Sequence, residues 1–354
     1  MNEVLEIIKK QREEYPLMQL QDIVKLIYQN EFGPGHFVKS EELSMQRLRD
    51  ECREIKENAG GKVRRIESIG NGLCRCYLQG LKEEELKALN RIFVYSANHR
   101  QGSKAVFEKK LLNAKSLLKE MDVDFTEREY TAYIREQREK GYPPVSHSEA
   151  YRKAYHPSYR VIEEKFAPYI SLLAEIETLI QKKKNPVIGI DGNAAAGKTT
   201  LSQCLKELYG SEVIHMDEFF LPGEMRTLAR MEEIGGNIHY ERFAAEVVNG
   251  IRSNTAFTYR IFSCHEMDYT GAKKISNRKM LVIEGSYSMR EDFREAYDYK
   301  IFLKLPVELQ KQRIIERNGM SMYEMFRDKW IPMENRYFES GKIEALCDYC
   351  YLWK

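Results

Sequence analysis

Residues 185–200 read NPVIGIDGNAAAGKTT, and the core at 192–199 satisfies G-x-x-x-x-G-K-[ST]. Ahead of it, Val187-Ile188-Gly189-Ile190 is an apolar run without polar alternation, as a parallel strand buried on both faces requires. Behind it, Leu201, Leu205 and Leu208 fall at helical spacing. Strand, glycine loop and helix together predict a nucleotide-binding unit. Gly192 and Gly197 permit a tight turn in which backbone N–H groups face a phosphate chain, and the helix beginning near Lys198 adds the positive end of its dipole. The expected ATP-binding set is therefore Gly192, Asn193, Ala194, Ala195, Ala196, Gly197, Lys198, Thr199 and Thr200. Lys198 would bridge the β- and γ-phosphates, and the Thr199 hydroxyl would be a Mg2+ ligand.

Downstream, EVIHMD at 212–217 predicts the next strand, with Asp217 at its carboxyl end, where ligands sit in open α/β sheets. A carboxylate there can take the proton of an acceptor hydroxyl or help hold Mg2+; capping a helix is the alternative, and catalysis is preferred. A third apolar run, 280–283, leads into Glu284, which occupies the place of a metal-orienting carboxylate. Two stretches between these strands, 235–243 and 258–265, are candidate acceptor-binding loops and supply Arg242, Tyr259, Arg260 and His265. A fourth strand spans 299–305, and Pro306 opens a helix carrying Arg313 and Arg317 on one face, suited to neutralising a transferring phosphoryl group. Residues 348–353 are a candidate fifth strand.

The loop GNAAAGKTT, the HMDEFF segment, VIEGSY and the run KLPVELQKQRIIERNG, followed by W-I-P-M-E-N-R-Y-F, resemble the uridine kinase and phosphoribulokinase branch of P-loop kinases, in that family's order. The resemblance covers residues 186–353. It implies a five-stranded parallel sheet and ATP–Mg2+-dependent phosphorylation of a small-molecule hydroxyl. It also implies that Asp217 is the base and that Arg313 and Arg317 lead into the lid. Where uridine kinases carry a tyrosine-aspartate pair before strand three, this chain has Tyr259-Arg260, which suits an anionic acceptor better than uridine.

Residues 1–184 resemble no family and read as a mostly helical domain, with helices near 3–14, 20–30, 40–58, 82–98, 103–121 and 126–140. A hairpin is expected from strands at 62–69 and 73–79 around Gly70-Asn71-Gly72. Glu31-Phe32-Gly33-Pro34-Gly35-His36 reads as a corner rather than a ligand loop. GYPPVSHSEAYRKAYHPSYR at 141–160 packs aromatics around Arg152 and Arg160, with Ser146 or Ser148 as a helix cap. It fits a domain interface, with a phosphorylated or planar ligand as the rival. A long helix from 158 to 181 then leads to a domain boundary near 184, with the kinase-like domain at 185–354.

Across 354 residues, 56 Lys+Arg against 54 Asp+Glu give a net charge of +2, which calls for neither a nucleic-acid nor a membrane partner. The charged amphipathic start and the lack of any long apolar run fit a cytoplasmic protein. Seven cysteines in such a compartment are expected as free thiols. The composite expectation is an ATP- and Mg2+-dependent kinase acting on a small-molecule acceptor. The rivals are an ATP-dependent regulatory switch without turnover and an RNA- or nucleotide-end kinase.

Overall fold

The computed structural model describes residues 2–57, 66–118, 125–276 and 279–353. Contacts divide the chain into two compact units, Met1–Thr178 and Leu179–Lys354.

In the first unit the helices Asn2–Glu14, Leu20–Phe32, Glu41–Glu57, Glu83–His99, Lys104–Leu118, Glu127–Glu139 and Glu149–Tyr155 accompany an antiparallel sheet. Its order is β1 (Ile66–Gly70), β2 (Leu73–Tyr77), β3 (Tyr159–Glu163). The expected hairpin is present, turning through Asn71 at φ +56°. The expected strand positions 62–65, and the helix ends at 58 and 119–121, lie outside the described residues.

The helix expected over 158–181 is corrected. Val161 and Ile162 pair with Arg75 and Cys74 as strand β3, where their branched side chains pack. Pro168 sits in a 3-10 turn, Glu164–Tyr169, and the α-helix is confined to Ile170–Lys182. Ser148 caps the Glu149–Tyr155 helix, its hydroxyl accepting from Tyr151 N–H at 3.1 Å. The helix Leu20–Phe32 buries polar Asp22, Gln29, Asn30 and Glu31 along with its apolar side chains. Such burial requires partners: Asn30 Nδ2 donates to the Ile69 carbonyl at 2.6 Å, Lys110 Nζ donates to Asn30 at 2.5 Å and to Glu31 at 2.7 Å, and Asp22 and Gln29 join the network described below.

In the second unit the strands are β4 (Val187–Gly192), β5 (Glu212–His215), β6 (Phe257–Ser263), β7 (Asp268–Ile275), β8 (Leu281–Glu284), β9 (Tyr299–Lys304) and β10 (Tyr349–Leu352). Five of them form one sheet in the order β10-β9-β4-β8-β5, every pair parallel. Each residue of β4 and β8 is buried, which is why both read as unbroken apolar runs. Residues 349–352 do form the fifth strand, at the sheet edge. From β4 the chain crosses to β5 on one side, and from β9 to β10 on the other. The crevice therefore opens beyond the carboxyl ends of β4 and β9. Glycine loop, parallel sheet and the helices after β9 give this unit the architecture of a P-loop kinase.

One expectation here is overturned. Residues 258–265, read as a loop, belong mainly to β6, which pairs antiparallel with β7 as a separate two-stranded ribbon.

Candidate active site

Gly192 ends β4 at φ +138°, and a Cβ there would lie 2.1 Å from the Leu303 carbonyl oxygen of β9. Only glycine fits. Asn193 then ties the loop to the same strand end: its N–H donates to Leu303 O at 3.0 Å, and its Oδ1 accepts from Leu305 N–H at 3.0 Å.

The next three carbonyls each accept a donor from beyond the loop. Gln310 Nε2 donates to Ala194 O at 3.2 Å, Arg313 Nη1 to Ala195 O at 3.4 Å, and Trp353 Nε1 to Ala196 O at 2.8 Å. In a planar trans peptide the N–H points opposite to the C=O. Holding Ala194 O and Ala196 O outward thus turns the N–H groups of Ala195 and Gly197 to the other side, while Ala196 N–H closes the turn on Asn193 O at 3.0 Å. Gly197, at φ +90°, starts the helix Lys198–Tyr209. A helix N-terminus beneath inward-turned amides is an anion cradle.

Lys198 is curled into this loop, its Nζ donating to Gly192 O at 2.7 Å and Asn193 O at 3.1 Å and lying 3.4 Å from Ser286 Oγ. Thr199 Oγ1 donates to Glu284 Oε1 at 3.0 Å, and His215 Nδ1 reaches the same oxygen at 2.5 Å. That hydrogen bond raises the His215 pKa above 6.5. Asp217, on the 3-10 turn Met216–Phe219 after β5, opens into the cleft beside them. Desolvation in the cleft and then the charge of Glu284 push its pKa up, against the pull of Lys198 and His215, although the residue keeps an exposed edge.

Lys198, Thr199, Asp217, Glu284 and Ser286 share a cleft of about 550 Å³ that also admits Arg313, Arg317, Phe326 and Trp330. Phe326–Trp330 is a π-helical turn, a geometry that re-aims side chains within a helix. Arg313 stacks 4.1 Å from the Trp353 ring, and Arg317 Nε donates to its neighbour Asn318 at 2.7 Å. Of the expected ATP-binding set, Ala194, Ala195, Ala196, Gly197, Lys198, Thr199 and Thr200 line the cleft. Gly192 and Asn193 shape the loop from behind.

The expected acceptor-binding set is placed elsewhere. None of Tyr259, Arg260, His265 and Arg242 lines this cleft. The alternation of β6 turns Tyr259 inward, fully buried, with its hydroxyl donating to Glu218 Oε2 at 2.7 Å. Arg260 faces outward and pairs with Glu246 at 2.6 Å. Arg242 is buried and donates to the carbonyls of Arg260 and Glu218, each at 2.6 Å. His265 is exposed in the turn between β6 and β7.

Sequence reasoning missed Asp191, Glu334 and Ser286. Asp191 is fully buried; it accepts from Gly192 N–H at 2.8 Å, Tyr337 OH at 2.8 Å and Met289 N–H at 3.2 Å. Burial raises its pKa to about 6, with Lys198 and these donors pulling the other way. Glu334 accepts from Ala194 N–H at 3.1 Å and from Ser286 Oγ at 2.7 Å, so a carboxylate caps the loop's first free amide. The run W-I-P-M-E-N-R-Y-F holds Glu334, but nothing local signals that it reaches a loop 140 residues away.

The side-chain oxygens of Thr199 and Glu284, with Asp217 nearby, would suit a hard cation that retains waters and phosphate oxygens, as Mg2+ does. Among the described residues, no group of three or more His, Cys, Asp or Glu side chains is arranged to hold a metal by itself.

No protein-family model matches the chain, and no curated protein matches it. Solved structures similar to it include one described as a possible uridine kinase from Bacillus stearothermophilus, at 19% identity over 51% of this chain and 99% of that chain, TM-score 0.39. Another, described as a candidate fructose transport system kinase from Silicibacter, matches at 19% identity over 51% of this chain and 98% of that chain, TM-score 0.40. Shikimate kinase from Acinetobacter baumannii matches at 19% identity over 47% and 82%, TM-score 0.28. The fold assignment stands on the strand order and loop geometry above.

Proposed function

We propose that residues 185–354 are an ATP- and Mg2+-dependent kinase that phosphorylates a hydroxyl of a small molecule. The observation that carries the reading is the loop itself. Three outside donors hold its carbonyls, and Lys198, Thr199, Glu284 and Asp217 converge on the same cleft. ATP with Mg2+ would supply the phosphoryl group and much of the charge neutralisation for its transfer.

The chain's own residues do the rest. The amides of Ala195 and Gly197 and the helix N-terminus bind phosphate oxygens, and Lys198 exchanges its two loop carbonyls for a phosphate. Thr199 and Glu284 hold the metal. Asp217 accepts the acceptor's hydroxyl proton from its place in the cleft. Arg313 and Arg317 balance charge developing on the transferring group, and the aromatic rings of Phe326 and Trp330 limit water. With Arg260 engaged by Glu246, the acceptor is read by groups facing the cleft, including Asn237, Tyr287 and Phe220.

The test is ATP consumption with Mg2+ against a panel of nucleosides, sugars, sugar phosphates and hydroxy acids, with mass detection of products. A product heavier by one phosphoryl group is expected. Lys198→Ala should abolish turnover in a folded protein, and Asp217→Asn should lower kcat by about 10²–10⁴-fold with little change in KM for ATP. Full activity in Lys198→Ala would sink the reading. ATP binding without any phosphorylated product would favour a nucleotide-driven switch.

A further inference from the structure

Two stretches of the first unit stand out in the sequence and play no part in the kinase site: Gly33-Pro34-Gly35-His36 and the aromatic-basic run at 141–160. The fold brings both to one cavity of about 610 Å³, between the helix Leu20–Phe32, the loop after it and β3. We propose that this cavity is a second ligand site, for a small organic anion bearing a phosphate or carboxylate group and a flat apolar part.

Its charge is one-sided. Lys25, Lys39, Arg47 and Arg160 line it, and no Asp or Glu does. Arg160 is partly committed to Glu51 at 2.8 Å. Lys25 donates to the Val145 carbonyl at 2.8 Å, and among the described residues none of Lys25, Lys39 and Arg47 has an ion-pair partner. Burial, aided by the charge of Arg75 and opposed by that of buried Asp22, pushes the Lys25 pKa down to about 8. An ammonium held that way gains from an arriving anion. At the lip, Phe37 is 66% exposed and Leu43 64% exposed, with Phe93 deeper, so apolar surface lies beside the charge.

The floor is rigid and polar. Asp22, fully buried, accepts from Ser148 N–H at 3.0 Å, Ser148 Oγ at 2.6 Å and Gln19 N–H at 3.0 Å, and faces His147 Nδ1 at 2.8 Å. His147 Nε2 lies 2.6 Å from the Tyr159 hydroxyl. Burial, reinforced by Arg75 and Lys25 against the pull of Asp22, takes the His147 pKa down to about 4. The neutral ring therefore donates through Nδ1 to Asp22 and accepts at Nε2 from Tyr159. Arg75, itself fully buried, stacks 4.8 Å from the Tyr159 ring and is held by Gln29 and Glu67. This satisfied relay fixes His147 and Tyr159 where they line the cavity.

The test is calorimetric titration of the full chain with phenyl phosphate, benzoate and inorganic phosphate. Phenyl phosphate or benzoate should bind more tightly than inorganic phosphate, and whichever of the two is preferred names the anion. Lys25→Met should weaken that binding about tenfold or more. Arg47→Gln, at an exposed position that leaves the fold intact, should weaken it severalfold. Lys198→Ala should leave it unchanged. The proposal is overturned if neither organic anion binds, if Arg47→Gln and Lys25→Met bind as wild type, or if binding is lost in Lys198→Ala, which would place the anion in the kinase cleft.

Discussion

Replacing Gly192 with alanine is the sharpest physical test of the loop. The added Cβ would meet Leu303 O at 2.1 Å, its N at 2.7 Å and its C at 2.8 Å, all backbone atoms of a central strand that cannot swing away. The positive φ adds strain of about 1–3 kcal/mol. Overpacking adds about 1–3 kcal/mol. Pushing β9 aside also breaks the Asn193 N–H bond to Leu303 O, worth about 1 kcal/mol. The sum is about 3–7 kcal/mol, a large part of the ordinary stability of a domain. Gly210 provides the control: its φ is +64°, but a Cβ there meets nothing within 4 Å, so Gly210→Ala should cost only about 1–2 kcal/mol. The assay is urea unfolding followed by tryptophan fluorescence. The chain's 2 tryptophans, Trp330 and Trp353, both lie in the second unit, so the signal reports that unit. If the two variants lose stability to within about 1 kcal/mol of each other, the close-approach reasoning is wrong.

Two further outcomes are expected. Because the hydrogen bond to Glu284 raises the folded-state pKa of His215 above 6.5, its stabilisation is fully present below pH 6.5 and is lost as pH rises through the raised value. The gap in urea midpoint between wild type and His215→Gln should narrow as pH rises; a gap that widens would refute this. Trp353→Phe keeps a ring beneath Arg313 but removes the donor to Ala196 O, a loss of about 1 kcal/mol from the loop's support. KM for ATP should rise severalfold with kcat nearly kept, and steady-state kinetics showing the reverse pattern would place Trp353 in the chemistry instead.

The glycine loop, the parallel strands and the placement of Asp217 just past a strand were legible in the sequence because each is a local statement. Glycine spacing, unbroken apolar runs and a carboxylate at a strand end all act within a few residues of chain. The placement of residues 258–265 was not legible. Whether residues 258–265 are loop or strand depends on β7 pairing with them, and that pairing turned Tyr259 inward and left Arg260 to Glu246. The helix expected from 158 yielded to β3 because an open edge of β2 was there to pair with.

By itself, then, the sequence determined a glycine loop between strand and helix, with the charge and hydroxyl that follow it. Only the tertiary structure decided what holds that loop open. Gln310, Arg313, Trp353 and Glu334 reach it from 116, 118, 157 and 140 residues away, and such contacts leave no periodic trace in the chain. The cationic cavity of the first unit has the same origin. Lys25, Arg47 and Arg160 look like ordinary surface charges until packing sets them around one space that no carboxylate lines.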